Sequence, residues 1–148
     1  DIEMPFSPGH VLIRTPANQT AITDVSGQHV GLGAIAAPNA CTFFAGDMGR
    51  MLVLLTGNMV ASTTATTQTA QIAYGTGTAP ANATEATGTL VGVAQTFVAL
   101  TGHLTMPLAL TAVITGLSVS TLYWVDVVIT STANSGQLTN GVLTLLEF

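Results

Sequence analysis

The sequence predicts an all-β protein, a single jelly roll or β-sandwich of about eight strands preceded by an extended N-terminal arm. Three observations support this fold class: Thr, Val, Ile, Leu and Ala dominate after the first twenty residues, Gly and Asn recur at fairly regular intervals, and the charged residues that favour helices are nearly absent. The 148 residues have the usual size of one domain, long enough to bury a core without disulfides or metals.

The first nineteen residues are predicted to form the arm, and residues 20–148 the jelly roll. Three prolines and no helical period keep residues 1–19 extended. The arm is too apolar for a free tail, so we expect it to dock on a partner protein or a neighbouring subunit, with Arg14 adding one charged contact. The alternative is that the arm folds back and caps its own domain. The candidate docking residues are Ile2, Met4, Phe6, Val11, Leu12, Ile13 and Arg14.

The clearest strand signal is an alternation of apolar residues over residues 104–114, with threonines on the opposite face. Residues 121–129 are apolar on both faces except at Asp126, which predicts a central strand whose second face is also covered. Asn140-Gly141 predicts a tight turn or a bulge, and residues 75–88 a surface loop. Further strands are predicted at 20–25, 28–35, 40–44, 51–60, 68–74, 90–100 and 142–148.

The charge content excludes several classes of function. Only 6% of residues are charged, against about 25% in average soluble domains, so the surface must consist of Thr, Ser, Asn, Gln and Gly or be covered by other protein. Two arginines, no lysine and a net charge of -5 argue against nucleic-acid binding. Residues 86–125 carry no charge, yet glycines and a proline interrupt them, so we expect no membrane span.

Candidate chemistry is sparse. His10, His29 and His103 each lack a partner at metal-ligand spacing, so no metal site is predicted. Cys41 is the only cysteine and is expected to be a buried small hydrophobe. Residues 31–36 fit G-x-G-x-x-A, but a proline follows too soon for the helix that a dinucleotide site needs, and G-x-S-x-G is absent. We therefore expect no cofactor, no small-molecule ligand and no enzymatic activity.

Tyr123 and Trp124 are adjacent aromatic residues on one predicted strand. They point to opposite faces, so they cannot form one stacking platform for a sugar. At least one of them is expected in the core or between subunits. Together with Val125 and Val127, they are our candidates for residues that line either the core or a subunit interface.

Two stretches resemble phage virion structural proteins: residues 72–86 (IAYGTGTAPANATEA) and 115–127 (TGLSVSTLYWVDV). The resemblance covers residues 51–148; the first fifty residues match no family. It implies a compact β-barrel or jelly roll without catalytic residues, often trimeric, acting as a capsid decoration (cement) protein or the head of a short fibre. From it we expect a homotrimer on the capsid surface of the virion, with the major capsid protein as partner. The alternative is a fibre-tip or adhesin-like module that binds host glycan through residues 75–88.

Overall fold

The computed structural model describes residues 11–18, 26–64, 66–132 and 136–148. In these ranges the chain forms nine strands and one short 3-10 helix, Leu32–Ala34, so the prediction of an all-β fold with about eight strands is confirmed. The strands are β1 (Val11–Arg14), β2 (Gln28–His29), β3 (Thr42–Phe44), β4 (Met51–Ala61), β5 (Thr67–Thr76), β6 (Thr89–Val98), β7 (Thr105–Ile114), β8 (Leu122–Ser131) and β9 (Gly136–Glu147).

The strands form two packed sheets. One has the order β1-β9-β4-β7; the other has the order β2-β8-β5-β6, with β3 also paired to β8. Neighbouring strands are antiparallel, and most come from distant parts of the chain. This order is that of a jelly-roll sandwich. A single core lies between the sheets, and its largest fully buried side chains are Phe43, Leu32, Met51, Leu55, Met59, Ile72, Leu108, Ile114, Ile129, Leu143 and Leu145.

The two strongest sequence patterns are confirmed. In β7, alternate residues from Leu108 to Ile114 are buried and the residues between them are exposed. Pro107 is tolerated because β7 lies at the edge of its sheet, where one side of the strand needs no backbone donors. In β8, every residue from Tyr123 to Ile129 is buried, as expected for a central strand covered on both faces.

Three local predictions need correction or refinement. The strand predicted at 28–35 ends at His29, because Gly31 has a φ of 88° and turns the chain into the 3-10 helix. The last strand starts at Gly136 and contains a bulge at Asn140, whose φ is 52°. The strand predicted at 20–25 lies outside the described residues.

The boundary predicted between arm and domain is wrong for part of the arm. Val11–Arg14 is strand β1, paired with β9 of the same chain from Val11 opposite Leu146 to Arg14 opposite Leu143. The strand's alternation of apolar side chains makes it fit a sheet edge. These four residues therefore belong to the sandwich, as in the alternative that the arm caps its own domain, while Ile2, Met4 and Phe6 lie outside the described residues.

Candidate functional site

The two stretches that carry the phage resemblance form one packing unit. Strand β5 pairs with β8 so that Gly75 lies opposite Trp124. The indole Nε1 donates a hydrogen bond to the backbone oxygen of Thr76 at 3.2 Å. A Cβ added at Gly75 or at Gly88 would come within 2.5 Å of the Trp124 ring, so glycine is required for the ring to lie flat against the backbone. The aromatic residue and the glycines therefore depend on one another.

Beside Trp124, the carboxylate of Asp126 is fully buried in a cradle of backbone amides. It accepts hydrogen bonds from the amides of Gly31 at 2.9 Å, Leu32 at 3.2 Å and Val127 at 2.7 Å. The positive φ of Gly31 aims successive amides at one point, as in other backbone anion sites. These donors replace the water that the carboxylate loses on burial.

His29 completes this polar cluster, and its hydrogen bonds define its tautomer. The amide of Thr87 can only donate, and it lies 2.9 Å from Nε2, so Nε2 is the unprotonated nitrogen. Nδ1 therefore carries the proton and donates it to Asp126 Oδ2 at 3.1 Å. The ring also packs edge-on against Trp124, with the centroids 5.4 Å apart. The cluster is thus a neutral imidazole hydrogen-bonded to a carboxylate.

The connection between β5 and β6 covers this cluster. It runs beside His29, whose amide donates to the oxygen of Thr84 at 2.8 Å and whose oxygen accepts from the amide of Ala83 at 2.9 Å. The side-chain amide of Asn82 donates to the oxygen of Val30 at 2.9 Å. Ala79 and Ala86 pack on Ala73, Trp124 and Val128. The expected cover for the second face of β8 is therefore this loop.

The order Asp126–His29–Thr87 resembles a catalytic triad in its distances, with Thr87 Oγ1 3.1 Å from Nε2. A general base needs a free lone pair for the nucleophile's proton. Here the lone pair of Nε2 already accepts the Thr87 amide at the shorter distance of 2.9 Å. The geometry thus serves to fix the loop on the sheet rather than to activate a hydroxyl.

A second feature is the outer face of the sheet β1-β9-β4-β7, which we call the AP face. Because Met51, Val53 and Leu55 point into the core, their neighbours in β4 point outward. The register places Val11, Leu146, Leu52 and Val113 in one row and Ile13, Thr144, Leu54 and Thr111 in the next, followed by Val142, Thr56 and Ala109. These eleven residues are apolar or Thr, without a charge.

The AP face is large enough to matter energetically. Val11 is 49% exposed and Ile13 is 59% exposed, and Leu54, Val113 and Val142 are exposed as well. These five side chains offer on the order of 400 Å² of apolar surface, the size of the largest patch on a typical monomer, which is often functional. Among the described residues, the chain's own loop covers the outer face of the other sheet around Trp124, whereas no comparable segment lies on the AP face.

The predicted site residues fall into two groups. Tyr123, Val125 and Val127 point into the main core, and Trp124 points outward under the loop, so the structure assigns these four residues to the interior of the subunit. Val11 and Ile13 point outward on the AP face. Leu12 and Arg14 are half-buried on the opposite side of β1, where Arg14 Nε donates to the oxygen of Ala40 at 3.1 Å.

The remaining candidates for chemistry stay separate. His103 is exposed in the turn between β6 and β7, and His10 lies outside the described residues. Cys41 is fully buried, as predicted, and burial together with the charge of Asp126 raises the pKa of its thiol to about 12. In the part of the chain that the structure describes, no three His, Cys, Asp or Glu side chains form a group that could hold a metal ion.

Sequence reasoning missed the pairing of His29 with Asp126, which lie 97 residues apart. The available signal was Asp126 itself, the one charge in an otherwise apolar strand, because a buried carboxylate requires donors nearby. Which residues supply those donors depends on the strand order, which the sequence does not specify.

Comparisons with known proteins add one similarity of fold. No protein-family model matches the chain, and no curated protein matches it. Among solved structures it is similar to Eiger TNF from S. frugiperda, with a TM-score of 0.48 and 9% identity over 96% of this chain and 94% of that chain. The jelly-roll assignment follows from the strand order described above. Within the described ranges, no helix has the length and hydropathy needed to cross a membrane.

Proposed function

We propose that this protein is a non-catalytic structural component of a phage particle that decorates or cements the capsid exterior, and that it acts there as a homotrimer. The observation that carries the proposal is the AP face, an uncharged surface of Val, Leu, Ile and Thr spread over four strands. A flat apolar surface of this size is typical of protein–protein contact.

The treatment of the two outer faces supports a role in assembly. Around Trp124 the chain uses a loop, a buried carboxylate and a histidine to keep one sheet covered. A chain that covers one apolar face so thoroughly and leaves Val11, Ile13 and Leu54 exposed on the other has a partner for the second face.

The charge distribution narrows the kind of partner. With two arginines, no lysine and a net charge of -5, the chain has little with which to hold nucleic acid. The AP face offers threonine hydroxyls and apolar side chains, which match another protein surface. The major capsid protein and further copies of this chain are the partners that we propose.

The phage context comes from the sequence resemblance, and the packing of Gly75, Gly88 and Trp124 supports it. These residues belong to one structural unit, so their joint presence in the two stretches reflects one local fold rather than two unrelated matches. The arm keeps a part in the proposal through Val11 and Ile13, which add to the AP face, and through Ile2, Met4 and Phe6, which stay predicted docking residues.

The test measures binding to particles. Capsids stripped of this protein are incubated with the wild type, with Ile13→Glu and with Val119→Glu, a matched control at an exposed valine in the turn between β7 and β8. We expect full occupancy by the wild type and by Val119→Glu, and loss of occupancy with Ile13→Glu. Immunogold labelling at the tail tip, or wild-type protein that fails to bind capsids but binds a host glycan, would favour the adhesin-like alternative.

A further inference from the structure

A second charge-free surface lies at the edge where β6 of one sheet meets β7 of the other. No Asp, Glu, Lys or Arg occurs between Ala86 and Val125, a range that includes both strands. The register of β5 with β6 shifts between Ala70 and Ile72, so that residues 92–94 bulge out of the sheet. Val93, in the middle of this bulge, is 85% exposed, which is more than any other large apolar residue described.

The bulge is held firmly in place. Gln71 Nε2 donates to the oxygen of Gly92 at 2.8 Å, and Gln95 Oε1 accepts from the amide of Ala109 at 3.3 Å. Gly92 has a φ of 74°, and a Cβ there would lie 2.6 Å from the oxygen of Thr111. The bulge therefore presses against β7 and presents Val93 in a fixed position. A shallow groove of about 380 Å³ lies beside it, between Val93–Gln95 and Ala109–Thr111.

We propose that the β6–β7 edge of one copy packs on the AP face of the next copy, so that the contact runs head to tail around a closed ring. This inference rests on the proposed homotrimer and names the two surfaces that form it. The exposed Ile13 and Leu54 of the AP face fit a groove on the partner's edge, and Val93 fits between the rows of the AP face.

Charge favours a second copy as the occupant. A protein with a net charge of -5 and 6% charged residues repels itself least through surfaces without carboxylates, and the AP face and the β6–β7 edge are two such surfaces. Stable interfaces bury about 800 Å² per partner, roughly what the AP face offers when its threonines and partly buried leucines are added to its exposed apolar residues.

A head-to-tail contact also accounts for both surfaces at once. If two AP faces met each other in a symmetric dimer, Val93 would stay exposed on each copy. Contacts between two different surfaces form rings when the rotation closes, and each subunit then has both of its apolar surfaces buried.

The experiment uses the purified full chain at micromolar concentration, with mass measured by sedimentation velocity. Val93→Glu changes the edge and Leu54→Glu changes the AP face; both residues are exposed, so circular dichroism should match the wild type. Val119→Glu is again the control. We expect a trimer for the wild type and the control, and a monomer for each edge or face variant alone. Val113→Glu, also on the AP face, replaces Leu54→Glu if the latter does not fold.

Mixing the two variants gives the decisive result. In a head-to-tail ring, the intact face of Val93→Glu still fits the intact edge of Leu54→Glu, so the mixture should form a dimer with one copy of each. A monomeric wild type, or a Val93→Glu variant that keeps the wild-type mass, would overturn the inference. A monomer that still occupies capsids would leave the proposed function standing, whereas a ring that does not bind capsids would end the proposed function and leave the ring.

Discussion

Replacing Asp126 by asparagine tests whether the buried cluster fixes the β5–β6 loop on the sheet. The carboxylate accepts from three backbone amides and from His29 Nδ1, and it has no exposed surface. An asparagine has one oxygen and one NH₂ group. Whichever way it points, at least one buried donor faces another donor, and the remaining hydrogen bonds lose their charge.

The magnitude follows from these contacts. An unsatisfied buried donor costs about 1–3 kcal/mol, and hydrogen bonds to a charged acceptor contribute roughly 1 kcal/mol more than neutral ones. Asp126→Asn should therefore lower the free energy of unfolding by about 3 kcal/mol. For a protein of this size, about 2–4 °C of Tm is lost per kcal/mol, so the expected drop in Tm is about 6–12 °C.

The assay is a thermal melt followed by circular dichroism and by the fluorescence of Trp124, the only tryptophan. Asp47→Asn, a change of the same charge at an exposed position, is the control and should melt with the wild type. All proteins are compared at one concentration, because subunit association also raises Tm. A Tm for Asp126→Asn within about 2 °C of the control would refute the reasoning that the cluster carries this part of the fold.

Three other changes follow from the packing. Leu110→Ala should destabilise the fold by about 2–5 kcal/mol in urea denaturation, since it leaves a cavity in the core, whereas His103→Ala should not change it. Gly88→Ala should lower Tm and alter the Trp124 emission, because its Cβ would lie 2.5 Å from the indole ring. Cys41 should react with a thiol reagent at pH 8 only after unfolding. Its pKa rises from 9.0 to about 12 on folding, so the unfolded thiol ionises first and stability should fall as pH rises through this interval.

Sequence reasoning succeeded where a pattern is local. The alternation in β7 and the apolar run in β8 each follow from side chains that face opposite sides of one strand, and both appear in the structure as predicted. Asn140 in its bulge is a local feature too, since asparagine tolerates the positive φ that a bulge or tight turn needs.

Sequence reasoning failed where the answer depends on a distant partner. Val11–Arg14 looked like an arm because three prolines flank it and no period extends beyond it, but β9 supplies its hydrogen bonds from the other end of the chain. The strand predicted at 28–35 fails for a related reason. Gly31 takes a positive φ that brings its amide to Asp126, 95 residues later.

The same limit explains why the AP face is invisible in the sequence. Val11, Leu52, Val113 and Leu146 come from four separate strands and become one row only through the strand order. Each is an ordinary apolar residue in an alternating pattern whose other face is the core. Contacts built from such residues depend on apolar burial and not on charge, so salt that weakens charged contacts leaves them intact. Arg14, which the sequence offered as the charged contact of the arm, donates to Ala40 of its own chain. Docking through the AP face therefore rests on shape and apolar area alone.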